Sequence, residues 1–239
     1  MMKVEIWSDV MCPFCYIGKR HFEQAIEELP FKDEIIVDWK SYQLNPEYHN
    51  TNNETIYDYL SRCKGMPIEQ AKQMTKQVVD MAANAGLNID FDTNIPANTF
   101  NAHRLIHLAA KHNLQDLAEE KLFEAHFVKS KNIGENDVLV DLAVEIGLDK
   151  TEAEEVLKGD QFAEAVRYDV YESQNLGIRG VPYFVMDRKY GVSGAQPVQS
   201  FTDALTQSFK EWKETQPKTT LTSLNKNDDA ICGENGCEI

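Results

Sequence analysis

The sequence lacks three features that would place it in a large functional class. It has no run of eighteen apolar residues, so nothing in it predicts a membrane-spanning helix. Basic residues are few, 24 Lys and Arg against 39 Asp and Glu, and the net charge of −15 argues against nucleic-acid phosphates or an anionic membrane as the main partner. Internal repeats and low-complexity tracts are also absent, which excludes a repeat architecture.

A secretion signal is missing as well. The residues after Met1 contain no apolar leader and no small-residue cleavage site, and they enter a strand pattern directly. We therefore expect a cytoplasmic protein. Because reducing pools in the cytoplasm disfavour structural disulfides, the five cysteines are expected to be catalytic or metal-binding. With 239 residues, 42 % of them hydrophobic, the chain can bury a sizeable core as one large domain or two small ones.

Two of the cysteines, Cys12 and Cys15, follow a short apolar run and precede a helical pattern. Pro13 suits the first helical turn, where a backbone N–H would have no partner. A cysteine at this helix end faces unpaired N–H groups and the positive end of the helix dipole, which favours the thiolate. Cys12 can then attack a disulfide, and Cys15, one turn later, can resolve the mixed disulfide. The alternatives are half of a metal site, which for four-thiolate zinc needs a second close pair, and two core thiols.

Strand patterns occur at both ends of the chain, and helical patterns fill the middle. The predicted strands are residues 4–7, 35–42, 183–186 and 190–193. A first helix follows Cys12 and a last one spans 198–212. The helices predicted between the second and third strands are 67–86, one opened by Asn98 or Thr99, 114–129, 136–146, one started by the capping-box spacing of Thr151 and Glu154, and 160–175. The pattern predicts a small mixed sheet interrupted by a helical insertion.

The chain resembles the DsbA-like branch of the thioredoxin superfamily, and more narrowly the FrnE-type thiol-disulfide oxidoreductases. The resemblance spans residues 3 to about 213 and is carried by three segments: Cys12-Pro13-Phe14-Cys15, Asn98-Thr99-Phe100-Asn101-Ala102-His103 and Gly180-Val181-Pro182. It implies the α/β class, with a thioredoxin fold interrupted by a large all-helical insertion. The implied domains are a thioredoxin-like domain of residues 1–53 and 178–213, a helical insertion of 54–177, and a flexible tail of 214–239.

The resemblance also implies roles for single residues. Cys12 is the nucleophile, Cys15 resolves, and Pro182 is a cis-proline lying against the active-site disulfide. The backbone of Val181 is then available to an extended substrate segment, since Pro182 donates no hydrogen bond at the start of the following strand. Phe14, between the cysteines, is expected near solvent at the docking surface. The implied partners are protein or small-molecule thiols and disulfides, and no cofactor or metal is required.

A second cysteine pair, Cys232 and Cys237, ends the polar segment that follows Trp212. The two glycines and Asn235 near the pair permit a tight turn, which a disulfide at this spacing would need. A C-terminal pair of this kind also occurs in some FrnE-like proteins. Three roles remain open: a redox pair that exchanges with Cys12 and Cys15, a metal site, and a passive surface pair.

Two other functions are compatible with parts of this pattern. Kappa-class glutathione transferases and carboxylate isomerases share the inserted fold, but they use serine where Cys12 stands, so the intact cysteine pair counts against them. A thiol-rich metal-binding or redox-regulated binding protein is the non-enzymatic alternative, and it would contain stoichiometric zinc.

Four single residues also have predicted roles. Cys63 has no nearby cysteine and is interpreted as a small helix residue. His103 and His107 have a spacing that could bind metal, but a structural face toward the active site is favoured. Asp9 is predicted to cap the first helix rather than to exchange protons with Cys15.

Overall fold

The two ends of the chain form one mixed sheet. The computed structural model describes residues 1–49 and 54–217. Within them the strands are β1 (Met2–Ser8), β2 (Ile35–Ser41), β3 (Tyr183–Met186) and β4 (Tyr190–Ser193). Their order is β2-β1-β3-β4, with β1 parallel to β2 and antiparallel to β3. The register places Val4 opposite both Val37 and Met186, so β1 is the central strand that joins the two ends.

Helices occupy most of the chain between β2 and β3. The helices of the described residues are α1 (Pro13–Glu27), α2 (Ile56–Lys64), α3 (Ile68–Asn84), α4 (Phe100–Lys111), α5 (Gln115–Phe123), α6 (Asn136–Glu145), α7 (Lys150–Lys158), α8 (Ala163–Asn175) and α9 (Val198–Thr215). A π-helical turn, Glu124–Val128, continues α5. The predicted fold class is confirmed: the fold is mixed α/β, and a long helical segment separates the two parts of the sheet.

Two local predictions are wrong, and one helix was predicted without bounds. Helix α2 contains Cys63, which was interpreted as a helix residue, but its limits were not predicted although Thr55 and Asp58 form a capping box at its start. Helix α7 is capped by Asp149, whose carboxylate accepts a hydrogen bond from the Glu152 N–H at 2.9 Å, and not by Thr151. Residues 160–162 precede α8, because Phe162 adopts a left-handed conformation with φ of 62°.

Helix α1 belongs to two apolar clusters at once. Phe22 packs between Phe184 of β3 and Phe201 of α9, with ring centroids 5.2 and 5.7 Å away. Tyr16 stacks on Phe123 of α5 at 4.9 Å and belongs to the cluster formed mainly by the helical segment. Because both clusters hold α1, the position of its first turn, which carries the cysteine pair, is fixed by the sheet and by the inserted helices together.

Candidate active site

Cys12 occupies the N-cap of α1, and Pro13 is the first helical residue, as predicted. The Cys12 thiol is free and donates a hydrogen bond to the carbonyl oxygen of Val181, with 3.6 Å between sulfur and oxygen. The helix dipole and the unpaired N–H groups of the first turn favour negative charge at this end. The structure therefore places the Cys12 sulfur at the N-terminal end of α1 and beside the Val181 loop.

Cys15 lies one helical turn further on and is buried, with 1 % of its surface exposed. Burial is the main cause that raises the pKa of the Cys15 thiol, and the hydrogen bond with Cys12 and the Cys12 charge add to it. The Asp9 backbone and the Ser8 side chain oppose this rise without cancelling it. The two thiols are therefore unequal: Cys12 is at the helix end, and Cys15 is held protonated behind it.

The loop facing Cys12 contains a cis peptide bond between Val181 and Pro182, which confirms the predicted cis-proline. Helix α1 approaches this loop closely at Gly18. A Cβ atom at position 18 would lie 3.0 Å from Pro182 Cγ and 3.4 Å from the tip of the Phe184 ring. Glycine at this position therefore lets the loop and the helix pack together. Phe14, between the two cysteines, is 39 % exposed, as expected for a residue near solvent.

A cavity of about 440 Å³ lies beside Cys12. Its wall combines the start of α1 with α2, α3 and the π-helical turn, and its apolar lining includes Phe14, Ile56, Leu60, Met74, Val78 and Phe127. Cys63 of α2 lines the same cavity and is a free, exposed thiol. Sequence reasoning placed Cys63 in a helix correctly but gave it no place in the site, because no motif links residues 12 and 63.

The prediction that Asp9 caps α1 is wrong. Its carboxylate accepts hydrogen bonds from the backbone N–H groups of Met11, at 3.3 Å, and Leu44, at 2.7 Å. The N-cap position belongs to Cys12, so Asp9 instead ties the loop before α1 to the segment that follows β2. Asp9 Oδ1 also lies 3.6 Å from Nε2 of His103, and both side chains are 1 % exposed. His103 therefore lies next to Asp9, which is in the loop that precedes the two cysteines.

A buried carboxyl on α5, Glu119, was not singled out by the sequence analysis. Its side chain is 1 % exposed, and Oε2 has no hydrogen-bond partner within residues 1–49 and 54–217. Burial raises the pKa of Glu119 to about 8, against the opposing charges of His103 and Lys19. Burial lowers the pKa of His103, but the nearby Asp9 carboxylate, 3.6 Å from Nε2, together with Glu119, raises it more, so the net direction is upward.

The two histidines of the predicted metal spacing have different partners. His107 Nε2 lies 3.1 Å from Asp169 Oδ2 and 3.1 Å from the Ser41 hydroxyl, whereas His103 faces Asp9. In the described ranges no three His, Cys, Asp or Glu side chains are grouped as metal ligands. The spacing of His103 and His107 therefore corresponds to two separate buried contacts.

Two further observations concern the C-terminal cysteine pair and the length of the apolar helices. The predicted second pair, Cys232 and Cys237, lies outside the described residues. Among the helices that the structure describes, none is both long and apolar enough to cross a bilayer.

Comparison with known proteins defines the class of this fold and site. Residues 3–206 match the DSBA-like thioredoxin domain, and the chain therefore belongs to the DsbA-like thioredoxin family. This membership confirms the predicted enzyme class, thiol-disulfide oxidoreductase.

Individual proteins are similar to this chain to different degrees. A probable DsbA oxidoreductase of Streptomyces coelicolor is 37 % identical, with 100 % of this chain and 99 % of that one covered and a TM-score of 0.84. YwbO, an uncharacterised protein of Bacillus subtilis, is 28 % identical over 210 residues, which are 87 % of this chain and 98 % of YwbO. The cytosolic disulfide reductase DsbM of Pseudomonas aeruginosa shares the fold, with 16 % identity, coverage of 87 % and 99 %, and a TM-score of 0.63.

Proposed function

We propose that this enzyme is a FrnE-type dithiol-disulfide oxidoreductase in which Cys12 attacks and Cys15 resolves the mixed disulfide. The observation that carries the proposal is the inequality of the two thiols. Both thiols are buried, but Cys12, 4 % exposed, sits at the N-cap of α1 and lines the cavity, whereas Cys15, 1 % exposed, lies one turn further on and burial raises its pKa. Ordered exchange needs this arrangement, because the thiolate is the attacking species and the second thiol must wait for the mixed disulfide.

The exchange transfers two electrons in two steps. The Cys12 thiolate attacks one sulfur of a substrate disulfide; a bond forms between Cys12 and that sulfur, and the other half leaves as a thiolate. Cys15 then loses its proton and attacks Cys12 Sγ, which releases the second half as a thiolate. The substrate is reduced to two thiols, which take up the Cys15 proton and one proton from solvent, and Cys12 and Cys15 are oxidised to a disulfide. The reverse sequence oxidises a dithiol substrate.

We propose Val181, Pro182 and Phe14 as the edge on which substrates dock. The Val181 carbonyl already accepts a hydrogen bond from Cys12, and Phe14 presents an exposed ring between the cysteines. A substrate segment that pairs with the Val181 loop would bring its own sulfur to Cys12. Proteins and small thiols or disulfides are the proposed partners, and the cytoplasm is the proposed location, where reducing pools would keep the exposed Cys63 thiol free.

The proposed order of attack is tested by trapping. In a chain with Cys63, Cys232 and Cys237 changed to serine, the further change Cys15→Ser should leave a stable mixed disulfide on Cys12 after reaction with 2-hydroxyethyl disulfide. The reason is that no second thiol remains to release it. Intact mass and peptide mapping would locate the adduct. The matched variant Cys12→Ser should give little adduct on the buried Cys15, and equal labelling of both positions would contradict the assignment.

The tail pair is proposed as a second redox centre that exchanges with Cys12 and Cys15. Removing residues 218–239, which leaves all of α9 in place, is then expected to change turnover or the equilibrium of the Cys12–Cys15 disulfide with a glutathione buffer. The double change of Cys232 and Cys237 to serine should reproduce that effect, because it removes only the two sulfur atoms. Kinetics and equilibrium that are the same in all three chains would remove this part of the proposal.

A further inference from the structure

The cavity beside Cys12 has the size and lining of a small-molecule site. Its volume of about 440 Å³ falls within the range of roughly 300 to 1,000 Å³ that ligand pockets occupy. Aliphatic and aromatic side chains from α1, α2, α3 and the π-helical turn supply most of its wall. A ligand whose sulfur reaches Cys12 would therefore place the rest of its body against an apolar surface, and a strongly polar body would lose hydration there without replacement.

Lys64, the last residue of α2, lines the cavity and is exposed. Within the described part of the chain it makes no ion pair or hydrogen bond, whereas Lys72 of α3 is paired with Glu69 at 3.0 Å. In a chain with a net charge of −15, an unpaired ammonium at the cavity favours a ligand that carries an acidic group.

The wall also contains an amide oxygen that has no partner. The Asn94 side chain is 3 % exposed and lines the cavity, and its NH₂ group donates to the carbonyl oxygen of His126 at 2.8 Å. That bond fixes which end of the amide is the oxygen, and Oδ1 has no partner among the residues the structure describes. Oδ1 is itself buried behind the wall, so a ligand in the cavity does not reach it and Asn94 adds no polar requirement to the ligand.

From the apolar lining and Lys64 we infer the substrate class of the cavity: low-molecular-weight disulfides, and their thiols, that carry an apolar body and an acidic group. The inference rests on the proposed function, because it places the substrate sulfur at Cys12. Leu60 and Cys63 of α2 act as specificity-determining residues, since they line the space that the apolar body fills. The reaction itself is the two-step exchange already described, in which the ligand disulfide takes the two electrons of Cys12 and Cys15.

Two matched disulfides test the inference. N,N′-dibenzoylcystine and N,N′-diacetylcystine share the disulfide, the amide N–H and the carboxylate, and only the first has an aromatic body. The reduced full-length enzyme should be oxidised by the dibenzoyl compound at least about tenfold faster, measured as a second-order rate constant, because burial of an aromatic ring favours its mixed disulfide. Cys63→Phe and Leu60→Trp, which fill the cavity, should remove that preference, and Lys72→Gln, a change on α3 outside the cavity lining, should keep it.

A separate variant tests whether Lys64 binds the acidic group of the ligand. Lys64→Gln should slow both cystine derivatives by about threefold, the scale of a partly exposed ion pair, and should not slow the uncharged 2-hydroxyethyl disulfide. Equal rates for the two cystine derivatives in the unchanged enzyme, or a preference that survives in Cys63→Phe and Leu60→Trp alike, would overturn the inference.

A binding experiment separates this inference from the proposed function. N-Benzoylalanine carries the aromatic body, the amide and the carboxylate but no sulfur, and ligand-observed NMR can follow its binding to a chain with Cys12 and Cys15 changed to serine. Binding that Cys63→Phe abolishes supports the cavity assignment even if no disulfide is reduced, and in that case the proposed function alone fails. Absence of binding, together with normal reduction of 2-hydroxyethyl disulfide, would overturn the cavity assignment and leave the proposed function intact.

Discussion

Replacing Cys12 with serine is expected to lower the rate of disulfide reduction by about 1,000-fold or more, because a serine hydroxyl is not ionised near neutral pH and does not attack sulfur. Cys15 cannot take over the attack, since it is 1 % exposed and its pKa is raised by burial and by its neighbour. The measurement is the oxidation of the reduced enzyme by 2-hydroxyethyl disulfide, followed as loss of thiols. The fold should be unaffected, because serine fits the N-cap position of α1.

Cys63→Ser is the matched control for this change. It also replaces one free sulfur that lines the same cavity, but Cys63 lies on α2 and is not at the end of α1. Its rate with 2-hydroxyethyl disulfide should stay within about twofold of the unchanged enzyme, the spread of a surface substitution that removes no key contact. A Cys12→Ser enzyme that keeps most of its activity, or a Cys63→Ser enzyme that loses it, would contradict the assignment of the nucleophile.

Replacing Glu119 with glutamine should change how stability depends on pH. The folded protein holds the Glu119 proton up to about pH 8, whereas the unfolded chain releases it near pH 4.3. The stability that neutral Glu119 contributes is therefore fully present below the unfolded pKa and is lost as the pH rises to 8. Glutamine does not titrate. The difference in unfolding free energy, variant minus unchanged protein, should therefore rise by about 1.4 kcal/mol per pH unit between pH 5 and 8.

Urea unfolding at several pH values measures this slope. Asp9, His103, Lys19 and Asp116 surround Glu119, and all of them remain in the variant. Glu120→Gln is the control: the ion pairs of Glu120 with Arg20 and Lys19 lower its pKa against the effect of burial, so its loss should destabilise the protein by the same amount at pH 5 and pH 8. A constant difference between Glu119→Gln and the unchanged protein would show that Glu119 is ionised when folded.

The different environments of the neighbours Glu119 and Glu120 could not be predicted from the sequence. They are adjacent identical residues on α5, and no local pattern distinguishes them. One is buried and its Oε2 has no partner among the residues that the structure describes, and the other forms an ion pair with Arg20 of α1. The difference depends on how α5 packs against α1, which is a long-range contact that hydrophobic periodicity does not encode.

The opposite holds for the cysteine pair and the strands. The strand boundaries of β3 and β4 and the start of α1 are predicted correctly, because alternation, turn residues and Pro13 act locally. The cis bond before Pro182 was predicted from the family resemblance, not from local physics. Asp9 was assigned wrongly because its partner, the N–H of Leu44, is 35 residues away.

The bounds of helix α2 were not predicted, for a related reason. It has nine residues and buries only Ile56 and Tyr59, so its apolar face is too short to give a clear period. Its capping box at Thr55 and Asp58 was the available signal. The missing bounds mattered for the site, because this helix carries Cys63 and Lys64 to the cavity.

The 169-residue separation between Cys12 and Val181 sets an order of events during synthesis. The ribosome makes the cysteine pair near the start of the chain and the loop that faces it near the end of the sheet. At about 5 to 20 residues per second, roughly 10 to 30 s pass between the two. For that interval the nascent polypeptide carries Cys12 and Cys15 without the loop that later contacts Cys12, so thiols and disulfides in the surroundings can react with the pair before the site is complete.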